Sequence, residues 1–215
     1  MQELLTGRIR LVQGDKAIGG RKERESANAG HNWAFNEAVV ISALVNKFGS
    51  KIYPLGRMRY TKLSYLMHRH VENKPEGYLK KAAGPYNPAN RYKGPETIAQ
   101  KRGYIEIARS ENFSGFASGR NIDQSLAYFN QWYGQEVLEW LEQFRYEKNE
   151  KLELLATVDM AIQDLQIAGR EVTVEAVKDV LFAHEEWRPK LMRQIFSDSH
   201  IEQAIARCKA LFDEV

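Results

Sequence analysis

Few side chains in this sequence combine the type and spacing that chemistry requires. His68 and His70 stand two apart in "SYLMHRHVE". On a helix that puts them on different sides, whereas metal pairs use i, i+4 spacing as in H-E-x-x-H. His70 keeps step with Leu66 and reads as a satisfied, half-buried histidine. His184-Glu185-Glu186 has the right types for a metal or for acid–base work, but no second His or Cys stands nearby. Cys208 keeps step with Ile201, Ile205 and Phe212, so it reads as a buried thiol and not an exposed nucleophile. "AIGGRK" lacks the spacing and the Ser/Thr of a phosphate-binding loop, and no G-x-S-x-G elbow occurs. The expectation is a chain without catalytic residues, metal or cofactor.

Binding is the more promising chemistry, because charge is unevenly spread. Residues 51–102 hold 12 Lys/Arg against 3 Asp/Glu, and residues 103–215 hold 12 against 20, within a formal net charge of +3. A basic middle beside an acidic remainder is a prior for a nucleic-acid or acidic-partner surface. Arg57, Arg59, Lys62 and Arg69 fall on or just before a helix, and Lys80, Lys81, Arg91 and Lys93 on a hairpin and its loop. Phosphate contact needs such cations to converge on one surface. The competing reading is a solvated or protein-docking face whose long stems cover apolar atoms. Tyr86, in the proline-bounded "AGPYNP", and Trp132 are the candidate protein-contact residues. Trp132 stands one step off the apolar stripe of its helix, which points to an interface.

The elements that must position these residues follow from periodicity. "NWAFNEAVVISALVNKFG" has apolar residues at helical spacing, with Asn32 as N-cap and Gly49 as stop. A second helix spans about 57 to 71. "YLKKAAGPYNP" predicts a strand running into a tight loop, "PETIAQKRG" a short helix opened by Pro95, and "YIEIA" a strand. "SENFSGFASG" reads as a loop. Ile122, Leu126, Phe129, Tyr133, Val137, Trp140 and Phe144 step as one long amphipathic helix. Further helices run from Leu152 to Gly169, after Thr173, and after a Ser199/Glu202 capping box. The expected fold is mainly α with a small β-hairpin, a winged-helix-like region at 31–120 and packed helices at 121–215. Residues 1–12 read as a helix end with a short strand, and 13–30, with four glycines, as a linker.

Two stretches carry a family likeness. "MQELLTGRIRL" closely resembles the last residues of specificity subunits of type I restriction–modification enzymes, with Arg8 where the ending usually has lysine. "LGRMRYTKLSYLMHRHVE" with "YLKKAAGPYNP" is similar to C-terminal extensions on some of those subunits. More distantly, Lys62, Leu63, Tyr65, Leu66, Gly84 and Pro85 resemble the pattern of Panacea antitoxin-type domains. The first likeness implies that the chain extends a larger DNA reader whose target-recognition domains would precede residue 1. It also implies the methylase and motor subunits as partners.

The reading that joins these strands is a non-catalytic accessory domain of a specificity subunit. It would contact DNA non-specifically through the eight cations, or dock the other subunits. An antitoxin-like protein-interaction module and a purely structural extension stay open. One cysteine, no signal peptide and no apolar run of bilayer length lead to the expectation of a cytoplasmic, non-membrane setting.

Overall fold

In the structure, a computed structural model that describes residues 32–72, 77–91 and 93–212, Asn32 opens the first helix as the sequence predicts. Its side chain accepts a hydrogen bond from the Phe35 amide at 2.9 Å. This helix, α1 (Trp33–Phe48), is apolar nearly all round from Ala38 to Val45 and buried over that span, as befits a helix at the centre of a core. Gly49 closes it, its N–H bonded to the Val45 carbonyl. The features expected at 1–12 and 13–30 lie outside the described residues.

α2 (Arg57–Glu72) comes next, then the antiparallel hairpin β1 (Leu79–Lys81) and β2 (Gly84–Tyr86), with Lys80 opposite Pro85. A 3-10 turn at Pro88–Asn90 leads into α3 (Pro95–Lys101), which has its proline in the first turn. β3 (Ile105–Arg109) pairs with β4 (Ser114–Ser118), Ile107 lying opposite Phe116. The expected loop over "SGFAS" is therefore a strand. The Leu55 backbone also pairs with Phe116, through bonds of 2.9 and 3.0 Å. That close approach explains the glycine in the strand, since a Cβ on Gly115 would collide with the Leu55 carbonyl.

The long helix expected over 122–144 is broken. α4 (Ile122–Trp132) stops before Gly134, whose φ of 80° is left-handed. α5 (Glu136–Leu141) and a 3-10 turn (Glu142–Phe144) then resume on a new axis. α6 (Asn149–Ile167), α7 (Val174–Ala183), two 3-10 turns (Arg188–Met192, Gln194–Phe196) and α8 (Asp198–Phe212) complete the described chain. Thr173 caps α7 by accepting from the Ala176 amide at 3.1 Å. α8 begins at Asp198, so Ser199 lies inside its first turn instead of capping it.

The architecture is mainly helical with two small antiparallel two-stranded sheets. α1 packs on α2, α3, α4 and β4, while α6 packs on α2, α7, α8 and β2. α2 is thus held between the two groups. One buried apolar cluster runs from Phe35 to Cys208 and joins both halves. Among the described residues no helix is long and apolar enough to cross a membrane.

Candidate functional site

α2 is among the most polar helices of the chain, yet Tyr60 to Arg69 are all buried. A buried polar group must find a partner or lose the free energy of its hydration. Each side of α2 finds one on a different element. Arg57 donates to Glu96 of α3 through Nε and Nη2, both at 2.7 Å, and the Tyr60 hydroxyl adds 2.8 Å to the same carboxylate. Tyr65 and Arg69 reach Asp159 of α6 at 2.6 and 3.2 Å. Gln163 braces that pair. Ser64 and His68 meet Glu37 of α1, both at 2.6 Å.

This use of the cations corrects the expected DNA patch. Lys62 and Arg69 are 1% and 6% exposed, out of reach of a phosphate. Arg59 donates to the carbonyls of Phe144, Arg145 and Glu147, closing the turn after α5. Lys80 pairs with Asp164 at 2.8 Å and Lys81 with Glu186 at 2.6 Å. Of the eight, Lys93 stays exposed without a carboxylate partner among the described residues, and Arg91 lies near it at the surface, both on the loop entering α3. Trp132 is not at an interface either. It is 2% exposed and meets Phe35 edge-on at 5.9 Å, because the break at Gly134 ends the stripe that seemed to leave it outside. Tyr86 is half-buried at the end of β2. His70 is partly open to solvent and stacks on Trp140, centroids 4.0 Å apart and planes within 4°, while His68 is buried.

Reading cations by segment missed where free positive charge does sit. Lys101, Arg102, Arg109 and Arg120 are exposed, and none has an ion-pair partner among the described residues. The first two end α3, and the Arg120 stem lies beside Gly103, so three of them share one corner. Their scatter over 20 residues of sequence hid them.

Two polar arrangements remain. The first is a cleft of about 170 Å³ lined by Trp33, Asn36, Glu37, His68, Glu72, Tyr78 and Tyr133. His68 bridges its two acids, with Nε2 2.6 Å from Glu37 and Nδ1 3.0 Å from Glu72. Burial alone would depress the imidazole, but the two carboxylates outweigh it and push its pKa up to about 10. The Tyr78 hydroxyl and Ser64 lie 2.9 Å apart beside it, and Tyr78 is held well above the ordinary range by burial.

The second holds the β1–β2 hairpin by its carbonyls. Lys62 Nζ donates to Pro85 at 2.7 Å, Lys190 Nζ to Ala82 at 2.6 Å, and the Trp187 indole to Lys81 at 2.9 Å. Glu153 receives Lys190 and Arg193. Burial brings Lys62 down to about 7, and lowers Lys190 as well. The "AAGPY" turn is thereby clasped to the helical body through its backbone carbonyls. Among the described residues no group of His, Cys, Asp and Glu is arranged to hold a metal. Cys208 is a buried free thiol. Comparison of the chain with protein-family models, curated proteins and solved structures gives no match.

Proposed function

We propose that this chain is a non-catalytic docking domain carried at the tail of a type I restriction–modification specificity subunit, binding the methylase or motor subunits. The resemblance of "MQELLTGRIRL" supplies the family. The observation that carries docking is an exposed aromatic pair. Tyr53 and Phe113, 66% and 50% exposed, meet at 5.7 Å, and Ile52 and Ile107 are exposed in the same loop and on β3. Exposed large apolar side chains grouped in this way mark contact sites, and aromatics dominate the energy of such contacts.

The elements that carry this pair fit a winged-helix order. Helix α1, the Leu55 bridge, α2, α3 and the β3–β4 hairpin come in that order, with the β1–β2 hairpin inserted between α2 and α3, and β4 is flanked by β3 and Leu55. In this reading β3–β4 is the wing. The test is co-purification of the specificity subunit with its methylase and motor subunits, with and without Tyr53→Ala and Phe113→Ala. Loss of a subunit from the complex supports docking. An intact complex with the double variant removes it.

A second reading, contact with the DNA backbone, is favoured by Lys101, Arg102 and Arg120 at the end of α3. Affinity for a generic duplex, measured across a salt series, should weaken when these three become Gln. No binding at low salt discards it. Capture of a small toxin protein in place of the restriction subunits would favour the antitoxin-like alternative.

A further inference from the structure

We propose that the cleft between the first turn of α1 and the last turn of α2 is a binding site for a guanidinium or primary ammonium group. The assignment is independent of the docking surface above, since it uses other residues.

Three observations carry it. The cleft is rich in acceptors that lack donors. The Oδ1 of Asn36, which lines it, is enclosed and has no hydrogen-bond partner. Glu72 is engaged only through Oε1 among the described residues, and its side chain is 40% exposed. Behind Glu37, the fully buried Asn90 likewise has an Oδ1 without a donor. A group bringing several N–H donors and no acceptor answers that imbalance; guanidinium and ammonium are the two such side-chain heads.

The charge has the same sense. Glu37 and Glu72 face one imidazolium, that of His68, which leaves one negative charge over. The carbonyl end of α2 adds to it. The opposing N-terminus of α1 is blunted, because Asn32 already engages the Phe35 and Asn36 amides.

The third observation is shape. Trp33, 42% exposed, forms one wall, and an indole face is the best aromatic surface for a cation. At about 170 Å³ the cleft is smaller than the usual pocket for a whole cofactor or nucleotide, and it suits a head group.

Two sources could present such a group: a free small amine, or an arginine or lysine on a protein. The experiment follows the Trp33 indole N–H by two-dimensional NMR on the full chain, the resonance being assigned by its loss in Trp33→Phe. Probes are agmatine, N-acetyl-arginine amide, an arginine-centred pentapeptide and the uncharged N-acetyl-citrulline amide. Saturable shifts with the arginine probes and none with citrulline are expected. Glu72→Gln should weaken binding about tenfold, as loss of one charge-assisted hydrogen bond requires. Glu175→Gln, at the far-removed start of α7, should leave it unchanged. Tighter binding of the pentapeptide than agmatine assigns a protein source, and the reverse a free amine. Equal response to citrulline, no saturation by any cationic probe, or an unaltered affinity in Glu72→Gln overturns the proposal.

Discussion

Lys62 and His68 stand six residues apart on one buried helix and are driven in opposite directions by what surrounds them. Burial brings Lys62 down to about 7, while the carboxylates of Glu37 and Glu72, outweighing burial, lift His68 to about 10. Each shift is a statement about stability.

The signs are opposed in the same window. An unfolded lysine holds its proton to about 10.4, so between pH 7 and 10 the unfolded chain binds more protons at this position and Lys62 adds stability as pH rises. Lys190, also lowered by burial, acts in the same sense. His68 stabilises fully below about pH 6.5 and loses that contribution as pH climbs through its folded value. Relative to wild type, the urea midpoint of Lys62→Met should therefore fall as pH goes from 7 to 10, and that of His68→Gln should rise. Parallel profiles for the three proteins would refute the assignment.

Gly84 tests how tightly the lysine-held hairpin is seated. Its φ is 91°, and an added Cβ would lie 2.9 Å from Thr157 Oγ1 and 3.4 Å from Lys62. Gly169 has a φ of 64° but open space around it. Gly169→Ala should cost about 1 kcal/mol, from backbone conformation alone. Gly84→Ala should cost about 1–3 kcal/mol more, from the enforced shift of its neighbours. Equal midpoints in denaturant would show the hairpin to be loosely packed.

Trp132 and Trp33 separate core from surface. Trp132→Ala should cost about 3–5 kcal/mol, the usual penalty for emptying a large aromatic site. Trp33→Ala should stay within about 1 kcal/mol. Thermal or chemical unfolding of the two variants measures the contrast directly.

The stack of His70 on Trp140 offers an optical readout. Partial burial lowers the His70 pKa, so the ring is neutral at pH 7. Acidification should charge it against the indole and quench Trp140 emission, with a midpoint below that of a free histidine. His70→Gln should abolish this transition. A quench that persists in the variant would place the titrating group elsewhere.

Much of the scaffold could be read directly. Asn32, Gly49, Pro95 and Thr173 mark helix ends by local chemistry, and the structure puts helix ends at each. The stripe of α6 was equally plain. What escaped was set at long range. Arg57 and Arg69 look like surface charge until Glu96 and Asp159 arrive from 39 and 90 residues away. "SGFAS" looked like a loop because its small residues serve the approach of Leu55, which local propensity does not register. Trp132 was misplaced since one glycine in the left-handed region reset the helix phase.

The way α2 divides its polar groups among α1, α3, α6 and the hairpin has a consequence for how this chain can vary. A turn of one residue along that helix would leave four elements mispaired together, so competing packings carry a heavy penalty and the register is singular. Change along α2 must then come as matched exchanges across distant segments, and lone substitutions there should be rare among any kin the chain has.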